Sequence, residues 1–158
     1  MDVLIDYGYR EEDVRGLLDI ESLATFVIGR EGKPEGAEVS ISFVTDDEIH
    51  ELNREWRGID RPTDVLSFEC DNLDDGFALD DAEVYELGDI VIAPDVAERQ
   101  APEYGLTFAD EMSLLITHGL LHLCGYDHLE DDEAQVMEGR ERELLSAFWG
   151  RDFKRSRG

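Results

Sequence analysis

Hydrophobic and polar positions along the chain alternate between two periods. In AEVSISFVT (37–45), Val39, Ile41 and Phe43 alternate with polar neighbours, as a half-buried strand requires. DVLIDY (2–7) and YELGDIVIA (85–93) read as two further strands, and VLSF within 57–69 as a short buried one after a loop made by Gly58 and Pro62. Between the strands the period lengthens. Residues 11–29 carry Val14, Leu17, Leu18, Phe26 and Val27 at near-helical spacing behind the acidic start EED. Residues 46–56, with Thr45 as cap, place Ile49, Leu52 and Trp56 on one face and His50 nearer the other. Pro94 suits the first turn of a helix that Pro102 ends or kinks. Thr107 opens the longest informative helix, with Asp110 and Glu111 in its first turn and Gly125 to stop it. A last helix, 130–148, presents Val136, Met137, Leu144, Leu145 and Phe148.

Strands and helices are interspersed, without repeats, low-complexity stretches or a linker. The expectation is one α/β (α+β) domain over 1–150: a mixed β-sheet packed with helices, and a metal site at the end of the long helix. Residues 151–158 read as a flexible basic tail, and 70–83 as an exposed acidic excursion without the carboxylate spacing of a calcium loop.

Length and charge refine this picture. A chain of 158 residues buries roughly 70% of its unfolded surface on folding, enough for a core without disulfides. The two cysteines, Cys70 and Cys124, form no C-x-x-C pair, which fits a reducing, cytoplasmic setting. No apolar run approaches the ~18 residues of a membrane span, and the N-terminus lacks the pattern of a secretory signal, so no membrane partner is expected. The formal net charge of −26 coats a folded surface, because the 42% apolar content lies in periodic segments. Such a surface opposes nonspecific polyanion binding; it reads first as the solvated exterior of a protein from a bacterium or archaeon with acidic, salt-tolerant proteins, and in a functional reading it suits a basic partner, such as a ribosomal protein.

Three of the four histidines fall in HGLLHLCGYDH (118–128). His118 and His122 are four apart, on one helical face, and so can direct two imidazoles at one ion. His128 lies beyond Gly125, which can adopt the left-handed conformation that turns a chain back after a helix. Three imidazoles suit zinc and other late divalent metals and leave a coordination position open, the arrangement of a catalytic rather than a closed structural site. Such a metal activates water and polarises a bound carbonyl or phosphoryl oxygen. Asp127 and the acids at 130–133 are candidates for the hydrogen bonds that orient a ligand, and Cys124 is a minor ligand candidate.

The spacing also matches the frame H-E-x-x-H-x-x-G-x-x-H of zinc peptidases, but position 119 is glycine where those enzymes carry their general base. The frame is shared and the base is missing.

HGLLHLCGYDH resembles the histidine motif of the YbeY family of bacterial metal-dependent endoribonucleases. Two more segments, in the family's order, agree: LNREWRGIDRPTDVLSF (52–68) is similar to its arginine-containing stretch, and LGDIVIA (87–93) to its Gly-Asp strand. The resemblance covers roughly residues 37–148. It implies single-strand-specific RNA cleavage at a zinc-type site, 3′-end maturation of small-subunit ribosomal RNA, ribosome quality control, and partners among single-stranded rRNA, the small subunit or a basic ribosomal protein. It puts the metal ligands on His118, His122 and His128 and a functionally important arginine on Arg57. Glu69 departs from the pattern, where the family usually has proline.

A guanidinium fork beside a divalent metal is suited to the charge that develops on a scissile phosphodiester. Metal-activated water and the RNA's own 2′-hydroxyl are both compatible attacking groups, and Asp89, Asp127 and His50 are candidates for proton transfer. Arg54, Arg57 and Arg61 can form a local positive cleft within an acidic exterior. Two other readings stand beside the nuclease: a peptidase-like metallohydrolase, and a non-enzymatic ribosome-assembly factor with a structural metal.

Overall fold

The computed structural model describes residues 2–34, 36–70, 85–127 and 129–154. In chain order its elements are β1 (Asp2–Asp6), α1 (Glu11–Arg15), α2 (Ile20–Arg30), β2 (Ala37–Phe43), α3 (Asp46–Arg57), β3 (Val65–Glu69), β4 (Tyr85–Ile92), α4 (Pro94–Gln100), a 3₁₀ turn (Ala101–Tyr104), α5 (Phe108–Leu123) and α6 (Asp131–Trp149). The strands form one sheet in the order β1-β2-β4-β3. β1, β2 and β4 run parallel and β3 antiparallel to β4, the mixed α/β architecture the sequence pattern implies.

Alternation in β2 buries Ala37, Val39, Ile41 and Phe43 in the main core. In β4 the alternation is rephased: Leu87 falls between Glu86 and Gly88, which pair with the consecutive residues Glu38 and Val39. This one-residue bulge lets Leu87, Ile90 and Ile92 all reach the main core, while Val91 joins Ile49 and Leu66 in a second cluster beneath α3. Gly88 makes the bulge possible. Its φ is +141°, and a Cβ there would lie 2.2 Å from the Phe68 carbonyl oxygen, so no side chain fits.

The single helix expected over 11–29 is two helices. Gly16 ends α1, and Asp19, in extended conformation, caps α2 by accepting from the Ser22 N–H, which holds its carboxyl below the usual range. The Thr45 cap is present and is extended into a capping box with Glu48. Pro102 lies in the 3₁₀ turn after α4, where the helical pattern breaks.

The segment read as a tail begins with packed residues. Phe153 is buried with its N–H on Ser146 Oγ at 2.9 Å, and Arg151 pairs with Asp110; residues 155–158 lie outside the described residues, as does 71–84 of the acidic excursion. Among the described residues no helix is long and apolar enough to cross a membrane.

Helix α5 is the central helix, packed against β3, β4, α2, α4 and α6. From Asp110 to Leu123 every residue is buried except His118 and His122. A helix apolar almost all round belongs in the middle of a fold; here its exposed openings are the two histidines.

Candidate active site

His118 and His122 open into a cleft of about 610 Å³. The C-terminal end of α3 contributes Trp56 and Arg57 to its walls, β3 contributes Phe68, and the connector after α5 contributes Asp127 and Leu129. The helical spacing sets the two imidazoles on one face, with ring centroids 5.8 Å apart and planes at 88°. His118 Nδ1 lies 2.7 Å from Oε2 of Glu141 on α6, a carboxylate almost wholly buried. A carboxylate accepts and cannot donate when ionised, so Nδ1 carries the proton and Nε2 keeps its lone pair for a ligand.

The sequence pattern pointed to Asp127 and 130–133 for this role and not to Glu141. Asp131, Asp132 and Glu133 sit in the first turn of α6, where they complement the helix dipole. The signal for Glu141 was available: it is the acidic member of the buried stripe Met137, Glu141, Leu144 and Leu145, and a carboxylate in an apolar stripe needs a partner.

Arg57 is positioned by an ordered junction. Gly58, with φ +70°, closes α3 in the left-handed conformation, and the buried Asn53 donates from Nδ2 to the Arg61 carbonyl at 2.9 Å. Asp64 then anchors the entry to β3, accepting from the Val65 N–H and from Gln100 Nε2, both at 2.8 Å. Arg57 itself is exposed and forms no ion pair with the described residues, so its guanidinium is available to an anion. Of the three arginines expected to form a positive cleft, only Arg57 lines it; Arg54 pairs with Glu51 at 3.3 Å.

Of the proton-transfer candidates, Asp127 lines the cleft. Asp89 lines a different depression together with Glu69 and Cys70, and His50 Nε2 is 2.8 Å from Asp60 Oδ1 on the surface of α3. Trp56, expected with Ile49 on the packed face of α3, is 66% exposed, because the last helical turn lines the cleft, where Phe68 makes an edge-type contact with it. Burial pushes the Cys124 thiol up to about 11, which keeps it neutral and ill suited to be a thiolate ligand. Gly125 turns the chain with φ +108°, as the motif required.

Gly119 has a steric cause. A Cβ there would meet Ile90 side-chain carbons at 3.0 Å, so α5 lies against β4 at a separation where even a methyl group requires Ile90 to give way. A peptidase-type glutamate at this position has no room, and would face the sheet instead of the cleft.

Two histidines on one face, one of them oriented by a buried carboxylate, are a donor set that fits a late divalent metal. His128 lies outside the described residues, and among the described residues no group of three or more histidine, cysteine, aspartate or glutamate side chains is assembled for a metal.

The family model of Endoribonuclease YbeY matches residues 11–149. The chain belongs to that family. Its match to YbeY thus extends further towards the N-terminus than the three motifs. The Endoribonuclease YbeY of Bacillus subtilis is 40% identical over 150 residues, covering 94% of each chain. That of an Exiguobacterium species is 44% identical over 132 residues, covering 82% of this chain and 84% of its own. The fold is similar to the solution structure of a Thermotoga maritima protein, with 32% identity and a TM-score of 0.60 over 95% of this chain and 90% of the other.

Proposed function

We propose that this chain is a metal-dependent endoribonuclease that cleaves single-stranded RNA in the cytoplasm and acts in 3′-end maturation of small-subunit ribosomal RNA and ribosome quality control. The observation that carries the reading is the convergence of His118, His122 and Arg57 on one cleft, in a chain whose relatives are named endoribonucleases.

His118 and His122, with His128 as third ligand, would hold one divalent ion, zinc by the chemistry of the donors, and it would supply Lewis-acid stabilisation of a phosphoryl oxygen. The protein's own groups do the rest. Glu141 fixes the tautomer and direction of His118. Arg57 offers a planar fork of donors to non-bridging phosphate oxygens, where negative charge grows during cleavage. Asp127 shares the cleft and is the carboxylate for proton transfer.

The −26 charge opposes tight binding of free RNA. The substrate is therefore reached through the small subunit or a basic ribosomal protein, and affinity for isolated RNA is weak. Nanomolar affinity at physiological salt would contradict this. The activity is tested by dialysing the protein against a chelator and adding back zinc: cleavage of a single-stranded fragment spanning the rRNA 3′ end is lost and then restored. Cleavage that is indifferent to the chelator rejects the metal-dependent reading.

A further inference from the structure

Among the described residues four large apolar side chains are exposed: Leu4, Trp56, Leu129 and Val136. Single exposed apolar residues are ordinary on a protein surface. Two of these four, Trp56 at 66% and Leu129 at 80%, line the same cleft as His118, His122 and Arg57. Trp56 is also held in place. Its ring makes an edge-type contact with Phe68, with centroids 6.1 Å apart and planes at 70°, and it stands in the last turn of a helix whose end is fastened through Asn53 and Gly58. A large aromatic side chain, two-thirds exposed beside an arginine without a carboxylate partner among the described residues, suits a ligand that joins a flat apolar ring to an anionic group.

We propose that Trp56 is a stacking platform for one unpaired base of the RNA in this cleft, a base on the same strand as the phosphate that Arg57 contacts. This rests on the ribonuclease reading and deepens it. Every base presents a π-face, so stacking tolerates any sequence, while in a duplex those faces are covered by neighbouring base pairs. The platform thereby gives the site a physical means of preferring single strands with few basic residues. Leu129 supplies further apolar wall to the same cleft.

The test uses the full chain and a single-stranded 2′-O-methyl oligonucleotide, which resists cleavage, at low ionic strength. The protein has two tryptophans, and Trp149 is tied by its Nε1 to Ser113 Oγ at 3.2 Å. Binding should quench tryptophan fluorescence with the single strand and not with a duplex of the same length. Trp56→Ala should weaken binding about tenfold or more, and Trp56→Phe should abolish the quench while holding affinity within about threefold. Circular dichroism and thermal melting verify that both variants are folded.

Equal affinity of Trp56→Ala and wild type, or unchanged affinity for an oligonucleotide lacking its bases, overturns the proposal and points to an apolar protein partner for this face. Cleavage assays separate the two readings. RNA cut by Trp56→Ala with an unchanged KM rejects the platform and leaves the nuclease standing. Binding that depends on Trp56 in a protein that cuts no RNA rejects the nuclease and leaves the platform standing.

Discussion

Nδ1 of His118 lies 2.7 Å from Oε2 of Glu141, twenty-three positions further along the chain. This contact joins the central helix to the last one and turns a packing interface into a device that aims an imidazole. Glu141→Ala should lower the affinity for zinc about tenfold to a hundredfold, the usual consequence of releasing a histidine ligand from its carboxylate. Competition with a chromogenic chelator reads this without any RNA. A change of less than about twofold in a folded variant would show that His118 needs no such support.

Arg57 is exposed and unpaired with the described residues, so its removal should leave the fold unaffected and damage the reaction. Arg57→Ala is expected to unfold within about 0.5 kcal/mol of wild type and to cleave single-stranded RNA about 100-fold more slowly. Arg57→Lys should recover only part of this, because an ammonium cannot form the bidentate fork. Urea unfolding beside steady-state cleavage separates the two effects; a stability loss matching the activity loss would assign Arg57 to the fold.

Two glycines set how closely α5 and β3 approach β4, and they should differ in cost. Gly88→Ala forces an L side chain into φ +141° with its Cβ 2.2 Å from a backbone oxygen, so a loss of about 3 kcal/mol or more is expected. At Gly119 the clash is with Ile90 side-chain carbons at 3.0 Å, which can shift a little, and alanine improves helix propensity. Gly119→Ala should therefore cost about 1 kcal/mol net. Urea midpoints measure both; equal effects would mean that the left-handed backbone and the Phe68 carbonyl do not set the cost at Gly88.

The carboxyl of Asp19 is held below its ordinary pKa by the Ser22 N–H. A depressed folded-state pKa contributes stability that is present above the unfolded value of about 3.9 and is lost as pH falls through the folded one. Asp19→Asn keeps a capping oxygen and removes the titration. Wild type should therefore gain stability relative to this variant as pH rises from below the depressed folded pKa to above the unfolded value, and the difference should level off above that. A difference that stays flat through that window would show that Asp19 has no part in acid unfolding.

Much of this was legible in the sequence, for physical reasons that can be named. The period-two pattern of Val39, Ile41 and Phe43 identified β2 because one face of that strand is buried and the other half-covered. Thr45 and Thr107 marked helix starts because each hydroxyl accepts from the N–H three residues on. The break between α1 and α2 was written in Gly16 and Asp19, yet the apolar spacing on either side masked it. What local pattern could not supply was tertiary. Trp56 has the helical phase of a core residue and still projects into a cleft, and Glu141 has meaning only through its partner on α5. The absence of a carboxylate at position 119 was plain from sequence; that Ile90 leaves no room for one was not.

The central claim is that the paired histidines of α5 carry RNA cleavage. It is tested most directly by comparing wild type and His122→Ala, purified identically, on a single-stranded fragment spanning the 3′ end of small-subunit rRNA. The folded variant should lose cleavage by about 100-fold or more, since a contaminating nuclease would act equally in both preparations. Equal cleavage by the two proteins, or none by either, would contradict the claim and move the cleft to a role in ribosome assembly without chemistry.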